Sequence, residues 1–213
     1  MVLPSKQNPR NHARDQGSTR SMPLHLEITR RSVIVVKGSN FIWETEISTD
    51  VCDDLLKYYD ECTYLKKREY TGIKHSEDLH LHLMLAQTEE CLDKYLRELA
   101  RVLDEYMEIY RMAGEMQCNF ASLFNIQRYP PGGGYKGWHF ERGNHRENRD
   151  RHLVWMTYLT NNAEGGTEFQ YQDVYIPAVK GKTVIWPADW THTHRGRVCD
   201  TEKTIITGWV DLE

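Results

Sequence analysis

In FASLFNIQRYPPGGG, residues Phe120–Gly134, the pattern of the chain changes from helical to extended. Aromatic and β-branched residues lead into a Pro-Gly cluster, which is typical of a strand that ends in a tight turn. Four further segments of this kind follow: HLVWMTYLT from His152, TEFQYQDVYI from Thr167, KTVIWP from Lys182 and KTIITGWV from Lys203. The C-terminal part, about residues 120–213, is therefore expected to consist of many short strands.

Two helices are expected upstream of these strands, within about residues 50–114. In STDVCDDLLKYYDECTYLKK, a Ser-Thr-Asp run caps a helix whose apolar face consists of Val51, Leu55, Tyr58 and Tyr59. A longer helix is expected from about Thr88 to Ala113, where leucines and tyrosines recur at steps of three and four. The segment HSEDLHLHLML between them is ambiguous.

The order of these elements predicts the fold class. HLEITRRSVIVVKGSNFIWETEIS, which precedes both helices, indicates two strands and a turn. A few helices followed by many strands predict an α+β, mainly β fold, in which helices pack on one side of a β-sandwich or jelly roll.

The composition is that of one folded domain, expected at residues 23–213, and the net charge of −4 gives no overall basic field for nucleic acid. Residues 1–22 are basic and polar, and we interpret them as a flexible tail that is solvated rather than bound to nucleic acid. No apolar run approaches the ~20 residues of a membrane helix, and no signal-peptide pattern is present. The five cysteines form no CxxC pair, which favours free thiols and a cytoplasmic protein.

Several motifs point away from common enzyme classes. The sequence contains neither HExxH nor GxSxG. GGGYKG satisfies the GxGxxG pattern of dinucleotide sites, but the polar segment after it is not helical, so a tight turn is favoured. His80 and His82 alternate and are either ligands or, as we favour, part of a half-exposed strand or helix edge.

His139 and Glu141, in GWHFERG, point to the same face of an extended chain because they are two residues apart. An HxE pair alone is weak, since it occurs by chance in many proteins. It gains weight from WPADWTHTHRG further downstream, because two imidazoles and one carboxylate form the facial triad of non-haem Fe(II) oxygenases. Such a triad leaves coordination positions open for a chelating cosubstrate and for oxygen.

From roughly Phe120 to Val210 the chain resembles the prolyl-4-hydroxylase type of 2-oxoglutarate/Fe(II) dioxygenase. The matching segments are IQRYPPGGGYKGWHFE, RHLVWMTYLTNNAEGGTEF, GKTVIWPADWTHTHRG and KTIITGW, in the family's order and spacing. The upstream helices resemble the family's support helices more loosely, and the chain is most similar to small stand-alone members from phages and bacteria. The resemblance implies a double-stranded β-helix, or jelly roll, with N-terminal support helices.

The resemblance also implies an iron site. His139 and Glu141 match the first histidine and the carboxylate ligand, and His194, not His192, matches the last ligand. The best-known enzymes of the family have Asp where this chain has Glu141. The alternative is that Glu141 faces water instead of binding a metal. The site would then be inactive or would only bind metal. Because the carboxylate is retained, we expect hydroxylation rather than halogenation.

The cosubstrate and substrate positions follow from the same resemblance. Lys203 matches the cation that binds the far carboxylate of 2-oxoglutarate, and Tyr158 and Tyr129 match positions that hydrogen-bond it. Thr207 shares a strand face with Lys203 and is expected in the same pocket. The residues expected at the substrate pocket are Trp138, Gln127, Trp209 and Arg142.

Two further features are left with two interpretations each. Trp138, Trp186 and Trp190 either surround the site or belong to the core, and the core is favoured for Trp186. The charged loop RGNHRENRDR, residues 142–151, is either a substrate lid or a solvated loop.

The resemblance implies an enzyme that uses Fe(II), 2-oxoglutarate and O2, with ascorbate as reductant. It would hydroxylate an unactivated C–H, most often in a prolyl residue of a peptide or protein, and produce succinate and CO2. Two alternatives are a hydroxylase of a free amino acid or small metabolite and a non-catalytic metal-binding domain on the same fold. Nucleic acid is not expected as a partner, because only the basic tail supports it, and the oligomeric state does not follow from the sequence.

Overall fold

The structure, a computed structural model, describes residues 40–62 and 66–213. The predicted basic tail at residues 1–22 and the first of the two predicted N-terminal strands lie outside these residues. The second strand is present as β1, Trp43–Glu46.

The described residues contain three α-helices: α1 at Thr49–Glu61, α2 at Glu90–Ile109 and α3 at Arg111–Gly114. Helix α1 begins after Ser48, whose hydroxyl accepts a hydrogen bond from the backbone N–H of Asp50 at 3.3 Å. The single long helix predicted from about Thr88 is divided into α2 and α3 because Tyr110 leaves the helical conformation, at φ −109° and ψ 67°. Short 3-10 turns occupy Leu83–Gln87 and Trp190–His192.

After β1, most strands of the described chain carry segments that the sequence predicts as extended, and the ambiguous HSEDLHLHLML begins as a strand. In chain order the strands after β1 are β2 Lys66–Tyr70, β3 Lys74–His82, β4 Cys118–Phe120, β5 Leu123–Tyr129, β6 Gly134–Tyr135, β7 Arg151–Tyr158, β8 Asn162–Phe169, β9 Val174–Ala178, β10 Lys182–Pro187, β11 His194–Gly196 and β12 Lys203–Leu212. Two predictions differ from the structure: β2 begins inside the segment interpreted as the first helix, and TEFQYQDVYI is divided by a turn between β8 and β9.

These strands form two antiparallel sheets. The larger sheet has the order β1-β10-β7-β12-β5-β3-β2, with β4 paired to β12 and β6 paired to β3. The smaller sheet has the order β11-β8-β9. Apart from the consecutive pairs β2-β3 and β8-β9, strands that are neighbours in space are far apart in sequence, as the jelly-roll prediction requires.

Strand β7 shows how the core is divided into two layers. Leu153 and Trp155 belong to the cluster under the helices, whereas Val154, Met156 and Tyr158 belong to the cluster that faces the smaller sheet. Successive side chains of a strand point to opposite faces, so a strand buried on both faces reads as an uninterrupted apolar run.

The helices cover the outer face of the larger sheet. In α2, the Tyr95 ring lies 5.9 Å from that of Trp155, and its hydroxyl lies 3.0 Å from the Thr157 hydroxyl. The predicted arrangement of support helices on one side of a jelly roll is therefore confirmed. Within the described ranges, no helix has both the length and the apolar character needed to cross a membrane.

Candidate metal centre and cosubstrate pocket

The backbone brings His139 and His194 opposite each other. The two residues form an isolated antiparallel bridge in which His139 N–H donates to His194 O at 3.0 Å and His194 N–H donates to His139 O at 2.9 Å. Residues paired in this way project their side chains to the same face. The chain is held beyond this point because the N–H groups of Glu141 and Arg142 both donate to Ala188 O. Residues that are far apart in sequence thus meet at one place.

Three donor atoms converge at this bridge. Glu141 Oε1 lies 3.5 Å from His139 Nε2 and 3.7 Å from His194 Nε2, and the ligand atoms of all three residues lie within 4.8 Å of one another. Each imidazole has its Nδ1 at 2.9 Å from a backbone carbonyl, Gly137 O for His139 and His192 O for His194. A carbonyl only accepts, so Nδ1 carries the proton and the Nε2 lone pairs point to the centre.

The charge states of these groups also suit a metal ion. Burial lowers the pKa of His194 to about 4, with a further lowering by His139, so this imidazole is neutral at physiological pH. Burial alone would raise the pKa of Glu141, but the neighbouring side chains of His139, His194 and Arg151 lower it to about 2. Two imidazoles and one carboxylate are the donor set of a facial Fe(II) site, so the residues present fit a ferrous ion.

The second oxygen of the Glu141 carboxylate is held from outside the cluster. Glu141 Oε2 accepts hydrogen bonds from Arg151 Nη1 at 2.8 Å and from the indole N–H of Trp209 at 3.0 Å. The Arg151 guanidinium carbon lies 3.5 Å from the centroid of the Trp209 ring. The alternative in which Glu141 faces water does not agree with this geometry, because its side chain is only 16% exposed.

Lys203 lies in the same cavity, on β12. It is 3% exposed, and its ammonium donates to Gly165 O. Burial lowers the pKa of Lys203 to about 8, and nearby Cys199 raises it slightly. Among the described residues, no carboxylate lies within 4.0 Å of this ammonium. A buried cation without a carboxylate partner is costly, so the site favours an anionic ligand.

The other residues predicted for the cosubstrate surround Lys203. Tyr129 is its partner across β12 and β5, and Tyr158 is paired with Ile205 two residues further along β12. The Tyr129 hydroxyl donates to Gln127 Oε1 at 2.6 Å, and the Tyr158 hydroxyl lies 2.7 Å from the Thr167 hydroxyl. These hydroxyls have protein partners here, so they have to turn if they are to donate to a cosubstrate.

The cavity that joins these groups has a volume of about 350 Å³. Its lining includes the three donor residues, Lys203, Tyr129, Tyr158 and the predicted pocket residues Thr207, Gln127 and Trp209. Its volume lies at the lower end of the range for small-molecule sites, and its walls supply few but varied polar groups.

One side of this cavity consists of charged and polar side chains from β2, β3 and β5, which we call the polar wall. Its members are Glu69, Lys74, Asp78, His80 and Asn125. The Lys74 ammonium lies 2.5 Å from Asp78 Oδ2 and 3.2 Å from Glu69 Oε2, and His80 Nδ1 lies 2.6 Å from Asn125 Oδ1. The polar wall is thus an ordered network in which each charge has a partner.

Two residues predicted for the substrate pocket do not line the cavity. Trp138 is 41% exposed and lies under the Arg195 guanidinium, 4.3 Å from its ring centroid. Arg142 donates from Nε to Arg151 O and approaches Asp189 at 3.5 Å. Trp138 and Phe140 flank the ligand His139, and neighbours of an inward residue point outward in an extended segment.

The remaining predictions around the site can also be placed. His192 is buried away from the donor cluster, where its Nε2 donates to Asn40 O at 2.8 Å. Trp186 belongs to the core and touches His194 edge-on at 5.0 Å, whereas Trp190 is 62% exposed. In GGGYKG, Gly132 has φ +74°, as a tight turn requires, and no helix follows it in the described chain.

The sequence-based reasoning did not identify Arg151 or the polar wall. The signal for the wall was present: in HSEDLHLHLML, Asp78 and His80 alternate with Leu79 and Leu81, the pattern of a strand with one polar face. Arg151 is the last residue of the charged loop and the first residue of β7. Nothing in its local sequence distinguishes it from the other arginines of that loop.

Comparison with known proteins agrees with this site. Residues 124–211 match the family model of the 2OG-Fe(II) oxygenase superfamily. That superfamily uses Fe(II), 2-oxoglutarate and O2, and the matched region includes all three donor residues and Lys203. No curated protein matches the sequence.

Solved structures of prolyl hydroxylases share the fold. A viral collagen prolyl hydroxylase from Paramecium Bursaria Chlorella virus-1, in complex with 2OG, is 19% identical, with 82% of this chain and 98% of that chain covered and a TM-score of 0.62. A Pseudomonas putida prolyl-4-hydroxylase is 17% identical, with coverage of 82% and 94% and a TM-score of 0.64. A Trichoplax adhaerens prolyl hydroxylase, in complex with a hypoxia inducible factor peptide fragment, is 15% identical, with coverage of 81% and 84% and a TM-score of 0.63.

Proposed function

We propose that this chain, a 2-oxoglutarate/Fe(II)-dependent dioxygenase with the fold of the prolyl hydroxylases, hydroxylates a prolyl residue in a peptide or protein. The observation that carries the proposal is the presence, in one cavity, of a three-donor metal site and a buried ammonium without a carboxylate partner. The peptide fragment bound by the Trichoplax adhaerens prolyl hydroxylase, which shares the fold, supports the choice of substrate.

In this proposal His139, Glu141 and His194 hold Fe(II), and Lys203 binds the far carboxylate of 2-oxoglutarate. When bound, iron, 2-oxoglutarate and O2 supply the oxidising chemistry, in which the cosubstrate leaves as succinate and CO2 while a substrate C–H becomes C–OH. The protein's part is to orient these groups and to exclude water. Tyr129 supports the cosubstrate through its hydroxyl, and the apolar side chains of β7 keep water away.

The polar wall supports a second candidate, a hydroxylase of a free amino acid or small metabolite. A prolyl side chain is uncharged, whereas this wall presents Glu69, Asp78 and His80 to the cavity. A small substrate with ammonium and carboxylate groups offers partners for such a surface, and a cavity of about 350 Å³ has room for one.

The two candidates are separated by a coupled assay. Purified protein is incubated with Fe(II), ascorbate and 2-oxoglutarate, and succinate is measured with a proline-rich peptide set and with a set of free amino acids. The product mass is measured in parallel, and His194→Ala serves as the inactive control. A peptide that gains one oxygen atom in proportion to succinate supports prolyl hydroxylation. Stimulation by a free amino acid alone supports the second candidate, and iron binding without any succinate contradicts both.

We also propose a cytoplasmic location. The five cysteines, which all lie in the described part of the chain, are free thiols. Free thiols persist in a reducing compartment, which supports this location.

A further inference from the structure

The carboxylate of the proposed metal site is a glutamate, and this raises a geometric problem. Glu141 has one more methylene and one more rotatable bond than an aspartate would have, so its carboxylate has more orientations available. A carboxylate that binds a metal through both oxygens occupies two coordination positions. The cosubstrate and O2 need the three positions that a facial triad leaves open.

In the structure, the two oxygens of Glu141 have different surroundings. Oε1 faces the imidazoles of His139 and His194, at 3.5 Å and 3.7 Å. Oε2 accepts from Arg151 Nη1 at 2.8 Å and from Trp209 Nε1 at 3.0 Å. A carboxylate oxygen that accepts two hydrogen bonds, one of them from a cation, is strongly held.

Arg151 and Trp209 behave as one unit. The guanidinium lies over the indole, 3.5 Å from the ring centroid, and Arg151 Nη1 also donates to the backbone carbonyl of Glu141 at 3.2 Å. Trp209 is on β12 and Arg151 begins β7, which are neighbours in the larger sheet. The two donors are therefore fixed by the sheet rather than by the mobile end of a single side chain.

We infer that Arg151 and Trp209 are positioning residues that hold Oε2 of Glu141, so that only Oε1 is presented to the metal. This inference rests on the proposed function and explains how a glutamate serves in a three-donor site. Aspartate is one methylene shorter, so an aspartate at position 141 cannot place one oxygen at the imidazoles and the other at both donors.

The test is a double-mutant cycle on metal affinity. Trp209→Phe removes the indole N–H but retains an aromatic ring under Arg151. We expect it to weaken Mn(II) affinity about tenfold, the lower end of the effect of outer hydrogen-bond partners of metal ligands. In a Glu141→Asp background, Trp209→Phe is expected to have no further effect, because the contact is already lost. Trp190→Phe, at an exposed tryptophan outside the cavity, is the matched control and leaves the affinity unchanged.

A spectroscopic readout separates positioning from loss of structure. The visible absorption band of the Fe(II)–2-oxoglutarate complex reports on coordination, and Trp209→Phe is expected to shift it. The thermal midpoint of the metal-free variant is compared with that of wild type. If Trp209→Phe does not fold, Arg151→Lys is used, which keeps the charge but lacks the planar guanidinium.

The outcomes distinguish this inference from the proposed function. If wild type binds no Mn(II), the metal site itself is wrong and the proposed function fails. If wild type binds Mn(II) and the two substitutions act additively, the site stands and the positioning role is overturned. If the effect of Trp209→Phe disappears in Glu141→Asp and the absorption band shifts, the positioning role is supported.

Discussion

Two clusters in the same cavity each offer three possible metal ligands, and they differ in one respect. In the metal cluster, His139, Glu141 and His194 converge, and in the polar wall the corresponding group is Glu69, Asp78 and His80. The donor atoms lie within 4.8 Å of one another in both. In the polar wall, however, a lysine ammonium already lies between the carboxylates, whereas no lysine of the described chain pairs with the carboxylate of the metal cluster.

The difference shows that donor spacing alone does not define a metal site. Burial lowers the pKa of Lys74, but the carboxylates of Asp78 and Glu69 outweigh this and raise it above its usual value. Lys74 is therefore a permanent cation that neutralises its cluster. In the metal cluster, the nearest cation is Arg151, which binds the outer oxygen of Glu141 and leaves Oε1 available. We therefore expect a metal ion in the first cluster only.

The largest effect should come from the third ligand of the metal cluster. His194→Ala removes a donor nitrogen, and we expect metal affinity to fall more than about 100-fold, beyond the range for outer partners. His192→Ala is the matched control, because its imidazole binds a backbone carbonyl outside the cluster. Isothermal titration with Mn(II) measures both. Retained affinity in His194→Ala together with loss in His192→Ala would show that the assignment is shifted by two residues.

A somewhat smaller effect is expected for Lys203→Met, which leaves the metal donors intact. The far carboxylate of 2-oxoglutarate would then be buried without a partner, which costs about 2–5 kcal/mol, or roughly 30- to 5,000-fold in Kd. The dissociation constant of 2-oxoglutarate is measured at saturating Mn(II). Lys182→Met serves as the control, because that lysine pairs with Glu44 at 2.8 Å, outside the cavity. If Lys203→Met and the wild type bind 2-oxoglutarate equally well, Lys203 does not bind its far carboxylate.

The pH dependence of 2-oxoglutarate binding is a further test of the role of Lys203. The pKa of Lys203 is lowered by burial to about 8, so in the ligand-free protein the ammonium is present below pH 8 and lost above it. The dicarboxylate binds the protonated form, so affinity should be constant well below pH 8 and weaken about tenfold per pH unit above it. Lys203→Arg, which stays charged, should flatten this dependence. If the affinity of the wild type for 2-oxoglutarate is unchanged up to pH 9, its binding does not depend on the charge of Lys203.

The fold and the three candidate donor residues could be predicted from the sequence for identifiable reasons. Strand β7 reads as an apolar run because both of its faces are buried, and α2 repeats its apolar residues at helical spacing. His139 and Glu141 lie two apart in an extended segment, which is a local pattern that a sequence shows directly. His194 was expected from the spacing that the family resemblance implies.

The polar wall and the Arg151–Trp209 unit depend on register, which a sequence does not show. Asp78 meets Gln127 only because β3 pairs with β5, and Arg151 reaches Trp209 only because β7 pairs with β12. Trp138 lies outside the cavity lining for a local reason, because it is adjacent to His139 and neighbouring side chains of an extended segment point to opposite faces. Register therefore explains why the sequence did not show the polar wall or the contact between Arg151 and Trp209.

The smallest effect on metal affinity, and the most direct attempt to break the comparison, is expected from Lys74→Met. Removing the ammonium leaves Glu69 and Asp78 without their internal cation. The possible ligands of the polar wall then have no ammonium between them, as in the metal cluster. We expect a second, weaker Mn(II) ion and a stoichiometry that rises from one to two, while the first site is unchanged. Lys94→Met is the matched control, because that exposed lysine also lies between two carboxylates, 2.9 Å from Glu90 and 3.9 Å from Asp54. If Lys74→Met still binds one ion, a built-in cation is not what separates the two clusters, and the orientation of the donor atoms must account for the difference.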